Sequence, residues 1–355
     1  MNVTTNIRCV RLPLLLAGLT LAAALAGCAT PPASSEPTSQ PLPTARPTAA
    51  PQPTQPAPQP TAVPPTQPAP QSTQPAPQPT AVPPPTQPAP TDTAGAVQTV
   101  LNYYDAIVQR QFDRAYGYWA NNGAASNQTL DQFKQGFANT AGIDLRLRSP
   151  VARGADVTIP VTLTAVINSA SGTGDQLVQH FSGTYTLRPD SGSDTGWRIA
   201  AANIAEGPSS PPAPPPADPN GAVQTLQEYY DAINRHDYAY AYTLWANLGA
   251  ASKQSFAQFE QGFATTTHVV IDIGKATTEG AAGSIYAEVP VVVMSTTSDN
   301  GPLTFCGTYT LRRSNVPPFD QFGWHIESAQ IAQVANVQPG SAEEQQLLNG
   351  GCKAS

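Results

Sequence analysis

GAVQTVLNYYDAI, residues 95–107, returns at 221–233 as GAVQTLQEYYDAI. Tyr116, Trp119, Ala120 and Asn121 return as Tyr242, Trp245, Ala246 and Asn247. GAAS at 123–126 returns at 249–252, and QGFA at 135–138 returns at 261–264, all at one constant offset. A register held without a slip from Gly95 to Ala138 implies two copies of one folding unit. The copies differ most in polar residues, the kind that shared chemistry would have to keep.

Inside each copy the periodicity predicts helices first and strands after. Val97, Val100, Leu101, Tyr104, Ile107 and Val108 follow helical spacing, then Phe112, Ala115, Tyr116 and Trp119, then Leu130, Phe133 and Phe137. At Ile143 the period changes to two. Ile143, Leu145 and Leu147 alternate with Asp144, Arg146 and Arg148, and Val157, Ile159, Val161 and Leu163 alternate with Thr-rich positions. Phe181, Tyr185 and Leu187 continue the pattern, and Trp197 and Ile199 open a last strand. One sheet face is apolar and the other polar, as in an antiparallel sheet covered by helices on one side. The second copy repeats the plan, with strands expected around 268–275, 284–294, 303–312 and 323–331. Pro160 and Pro290 fall at matching places in two of these strands, and because proline is tolerated in a sheet only at an edge or a bulge, the strand is expected to be bulged or kinked in both copies.

Three helices, then four long strands ending in Gly-Trp-x-Ile, resemble the nuclear transport factor 2-like (cystatin-like, SnoaL-like) family. The versions found in bacterial lipoproteins carry a YY-x-A-I helix before an A-Y-x-x-W helix. Here those residues are Tyr103, Tyr104, Ala106, Ile107, then Ala115, Tyr116 and Trp119, with counterparts from 229 to 245. The resemblance implies an α+β chain of two tandem cone-shaped domains, each with three N-terminal helices packed on a curved four-stranded antiparallel sheet. The first would occupy 94–207 and the second 219–340, with a Pro-rich linker at 208–218 and a tail carrying a short helix at 341–355. Asp218-Pro219 reads as the start of the second domain's first helix.

The front of the chain reads as an export and anchoring device. Arg8 and Arg11 precede the apolar run LPLLLAGLTLAAALAG, and Leu25-Ala26-Gly27-Cys28 resembles the lipobox of bacterial lipoproteins. Residues 1–27 are then a signal peptide and Cys28 the lipidated first residue, holding the chain to the outer face of a membrane in the cell envelope. Residues 28–93 read as a long disordered Pro/Thr/Gln-rich stalk, in which TQPAPQPTAVPP at 54–65 recurs at 73–84. Proline at that density forms neither ladder nor helix. Such a spacer reaches roughly 200 Å at ~3.1 Å per residue. The formal net charge is −7, which argues against a nucleic-acid partner.

No constellation of catalytic residues emerges. The family's enzymes, isomerases and dehydratases, place Asp, His or Tyr inside the cone. The only repeated acidic candidate is Asp105/Asp231, and it lies about 100° from the apolar stripe through Tyr104. His180, His236, His268 and His325 do not repeat, and no spacing suits a metal. Catalytic residues, metal and cofactor are therefore expected to be absent. Arg146, Arg148 and Arg153 form a modest basic strip, read as a solvated face or a site for an acidic partner. Tyr104, Tyr116, Trp119, Tyr230, Tyr242 and Trp245 form either core or the walls of an apolar pocket with hydroxyl handles.

The expected function is a non-catalytic surface lipoprotein whose cones bind a small apolar ligand or an envelope protein. An isomerase- or dehydratase-like enzyme and a scaffold of an envelope assembly are the alternatives. Cys306 and Cys352 are the cysteines left once Cys9 leaves with the signal and Cys28 is acylated. Ser341-Ala-Glu-Glu344 reads as a helix start that would carry Cys352 across the outer sheet face to Cys306, giving a disulfide.

Overall fold

The computed structural model describes residues 93–169, 175–207, 216 and 218–352. The signal peptide, Cys28, nearly all of the stalk and most of the linker lie outside the described residues. The first unit contains α1 (Ala94–Val108), α2 (Phe112–Gly117), α3 (Leu130–Phe137), β1 (Thr140–Leu147), β2 (Val151–Arg153), β3 (Asp156–Asn168), β4 (Gln176–Pro189) and β5 (Trp197–Glu206). The second contains α4 (Pro219–Asn234), α5 (Tyr238–Thr243), α6 (Phe256–Gly262), β6 (Thr266–Ile273), β7 (Thr277–Ala281), β8 (Ser284–Thr297), β9 (Gly301–Ser314) and β10 (His325–Val334). A short α7 (Ala342–Gln346) comes last. Two antiparallel sheets with three helices each are consistent with tandem cones.

Each sheet has five strands rather than the expected four. The order is β1-β3-β4-β5 with β2 beside β3, and β6-β8-β9-β10 with β7 beside β8. The extra strands are short and exposed along their length, so they carry no apolar alternation for a periodicity argument to detect. They also explain the prolines. β3 is internal, not an edge, and no register shift falls at Pro160. Its neighbour changes there: β2 pairs with 156–158 and β1 with 161–167. Pro160 sits in the gap, where its carbonyl accepts from Arg148 N and no partner requires its missing N–H. Pro290 repeats the arrangement, accepting from Gly274 N between β7 and β6.

Local chemistry sets the helix ends. Thr129 and Ser255 each form a capping box with Gln132 and Gln258. Asp218 accepts from Asn220 N and Gly221 N with Pro219 in the first turn, as the sequence predicted. After α2 and α5 the chain meets the last strand of its own sheet: Ala120 N donates to Ile199 O, and Ala246 N to Ile326 O, both at 2.9 Å. The repeated GAAS then has a mechanical reason. Gly123 and Gly249 hold φ of 92° and 93° directly beneath the rings of Tyr116 and Tyr242, where a Cβ would strike the ring.

The linker is not the only junction between units. Arg146 on β1 donates to the Thr243 carbonyl at 3.0 Å. Arg148 reaches Asp237 at 3.3 Å and lies 3.9 Å over the Tyr240 ring. Gln98 on α1 accepts from Phe256 N at the start of α6. Phe319 and Phe322, in the β9–β10 connection, close on Gly142 of β1. The basic strip is therefore not simply a solvated face: Arg146 and Arg148 hold the second unit.

α7 begins with Ser341 accepting from Glu344 N at 3.1 Å. The chain then runs over the outer face of the second sheet, where Leu348 packs with Val292 and Cys306. Cys306 and Cys352 form a disulfide with Cα atoms 5.8 Å apart.

Candidate functional site

The interior of each unit is filled largely by aromatic rings. Tyr103, Tyr104, Trp119, Phe133 and Tyr185 pack edge-on in the first, and Tyr229, Tyr230, Trp245, Phe259 and Tyr309 in the second. The deepest hydroxyls satisfy each other. Tyr104 and Tyr185 share a 2.7 Å hydrogen bond, as do Tyr230 and Tyr309. Burial pushes the Tyr104 hydroxyl up to about 12 and also raises that of Tyr230, so both stay neutral. Tyr116 and Tyr242 point away from these pairs, donating to the carbonyls of Gln128 and Gln254 at 2.8 and 2.6 Å.

Above the second aromatic layer a cavity of about 270 Å³ opens at the mouth of the cone. Tyr230, Phe263, Val269, Val293, Leu303, Phe305 and Ile331 give it apolar walls, and Thr265, Thr266, Ser295, Thr297 and Asn300 rim it with hydroxyls and an amide. Of the six aromatic residues expected at a pocket, Tyr230 lines this cavity and the other five do not. No carboxylate, imidazole or amine is among the lining residues. The arrangement can hold a neutral ligand and offer it hydrogen bonds, and the Asp299 carboxylate bonds the Thr265 and Thr297 hydroxyls of the rim.

The first unit carries different residues at the same strand positions. Counting from Pro160 and Pro290, Val293 matches Leu163, Ser295 matches Ala165 and Thr297 matches Ile167. Ala165 and Ile167 stand where the second cone has the hydroxyls of Ser295 and Thr297, and Leu163 is larger than Val293. That substitution was readable in the sequence. Val289, Val291 and Val293 set an inward apolar alternation that Ser295 and Thr297 break, and polar residues on the inward face mark a site.

The remaining candidates sit elsewhere. Asp105 accepts from Gln109 at 2.8 Å on the flank of α1, and Asp231 is exposed. His180 meets Thr164 at 3.1 Å, and His236 meets Tyr238 at 2.7 Å. His325 crosses to the first unit, its Nε2 2.9 Å from Asp144 Oδ1 and 3.1 Å from Arg146 Nη2. Burial opposes ionisation of Asp144, but Arg146 and His325 outweigh it and hold its carboxyl below the usual range. Among the described residues no group of three or more His, Cys, Asp or Glu side chains could hold a metal ion.

No protein-family profile matches the sequence, and no curated protein matches it. Among solved structures the chain is similar to a "putative aromatic ring hydroxylase" from Novosphingobium aromaticivorans, at 13% identity and a TM-score of 0.26, over 33% of this chain and 93% of that one. It is also similar to a "putative dehydratase from the NTF2-like family" from Streptomyces avermitilis, at 14% identity and a TM-score of 0.27, over 34% of this chain and 99% of that one.

Proposed function

We propose that this chain is a nuclear transport factor 2-like lipoprotein, anchored through Cys28, whose second cone binds a small, neutral, largely apolar molecule without transforming it. The uncharged, hydroxyl-rimmed cavity above Tyr230 carries the reading. The titrating group in the lining is the Tyr230 phenol, which burial keeps neutral and which is spent on Tyr309. The first cone, with Leu163 and Ile167 at the corresponding positions, serves as the platform rather than as a second site.

The full chain should bind 1-naphthol and leave 1-naphthoate unbound, because the cavity has no cation to offset the desolvated carboxylate. Rebuilding the first cone's residues with Val293→Leu and Thr297→Ile should weaken naphthol at least tenfold. Equal binding by the variant, measured calorimetrically with an unchanged melting temperature, would remove the cavity from the reading. Cys28→Ala should abolish fatty-acid labelling, and labelling that persists would remove the anchor.

A further inference from the structure

A second cleft, of about 550 Å³, exists only because the two units are docked. Asp105, Ile143 and Leu145 contribute from the first unit, and Leu248, Arg312, Phe319, Phe322 and Glu327 from the second. Asp144, Arg146 and His325 satisfy one another at its edge and belong to the junction. Arg313 donates to the Ser314 and Asp320 carbonyls.

Two charges on the β9–β10 wall are not used up in this way. Arg312 spends only its Nε, on Ser284 Oγ at 3.0 Å. Glu327 lines the cleft with one carboxylate oxygen buried and, among the described residues, without a hydrogen-bond partner. They stand on paired strands, and no ion pair joins them among the described residues. A carboxylate held partly dry without a donor is costly, and a cationic donor from outside would relieve it. Phe319 and Phe322 meet edge-to-face beside them, with ring centres 5.8 Å apart. They lie in a connection longer than its counterpart in the first unit, and they stay partly exposed.

We propose that this inter-unit cleft binds the zwitterionic head of a free α-amino acid with an apolar side chain. The ligand carboxylate meets the Arg312 guanidinium, which presents paired donors for it. The ligand ammonium meets Glu327, and the side chain lies against Phe319 and Phe322. A bare amine forgoes the contact with the exposed Arg312 guanidinium, and a bare acid leaves the buried Glu327 oxygen without a donor.

Titration of the full chain with L-phenylalanine, 2-phenylethylamine and 3-phenylpropionate tests this by calorimetry. Phenylalanine should bind, and each truncated analogue should bind at least tenfold more weakly. Arg312→Gln and Glu327→Gln should each cost phenylalanine at least tenfold with the melting temperature preserved. Val293→Leu, in the other cavity, should change nothing. No binding of phenylalanine at millimolar concentration would overturn the proposal. So would an analogue that binds as well as phenylalanine, or an Arg312→Gln or Glu327→Gln variant that folds and binds unchanged.

Discussion

Replacing Cys352 by alanine removes the disulfide and leaves Cys306 as a thiol that is fully buried, so no polar atom is introduced and no dimer can form through it. The two cysteines are 46 residues apart in sequence. In the chain-entropy treatment, closing a loop of that length disfavours the unfolded state by about 4 kcal/mol. The cooperative unit decides what that loss does to the melting temperature. If the second unit melts alone, with an unfolding entropy of about 2.1 cal/mol/K per residue over roughly 130 residues, the shift is about 14 °C. If the junction makes both units melt together, the entropy nearly doubles and the shift falls to about 8 °C. The junction, with Arg146 on Thr243, Arg148 on Asp237 and Gln98 on Phe256, predicts one transition and the smaller shift. Scanning calorimetry of oxidised wild type and variant measures both quantities at once. A shift below about 2 °C would refute the entropic argument, and two transitions of which one moves would refute the coupling of the units.

Asp144→Asn should destabilise the protein by about 2 kcal/mol at neutral pH. The native carboxyl is held below its usual value, so its contribution is present above the unfolded value of about 3.9 and is lost as pH falls through the folded one. The variant's deficit in denaturant melts should therefore vanish in strong acid, and a deficit independent of pH would contradict the charge argument. Glu344→Gln should do the opposite. Burial and then the neighbouring Asp272 carboxyl raise Glu344, so its contribution is full below about pH 4 and is lost as pH rises through the raised value. A neutral amide keeps the hydrogen bonding without the proton, and the variant should gain on the order of 1 kcal/mol at pH 7 and nothing near pH 4.

Much of the fold was legible because repetition and periodicity are local signals. The shared register located both units, the change of period at Ile143 located the first long strand, and Ser341 with Glu344 located α7. The extra strands were not legible, since β2 and β7 are short and exposed. Pro160 was misread for the same reason: with β2 unseen, an internal proline demanded an edge or a bulge, whereas it stands where one neighbour hands over to another. The aromatic residues were read as core or as pocket wall, and five of the six are buried in the core. Tyr116 and Tyr242 look like pocket residues in the sequence, yet their rings cover Gly123 and Gly249 and their hydroxyls close a turn. The cone-mouth hydroxyls at Ser295 and Thr297 went unread because the strand was expected to end at Met294. The junction left one signal, the strip of Arg146, Arg148 and Arg153 read as a solvated face or a site for an acidic partner, but nothing periodic pointed to Asp237 of the second unit as that partner.

The divergence of the two copies in their polar residues now has a physical reason. At the offset of the repeat, Arg146 matches Asp272 and Arg148 matches Gly274. These are the places on β1 and β6 where each unit meets the next part of the chain. On the first unit, Arg146 and Arg148 hold α5 of the second. On the second, Asp272 faces Glu344 of α7, and Gly274 lies beneath the Leu348 carbonyl, 3.0 Å from where a Cβ would stand. The same strand thus presents long cations to a neighbouring domain in one copy and short residues to a close-lying tail in the other. The outer face follows suit. Val292, Met294 and Cys306 lie under the tail, and their counterparts Thr162, Thr164 and Ser182 are polar where no tail runs. At the Asp272–Gly274 end of the strand, the tail, fastened by Cys306–Cys352, takes the place that α5 takes beside Arg146 and Arg148. Identical polar residues in the two copies would have left one of those two surfaces without a partner.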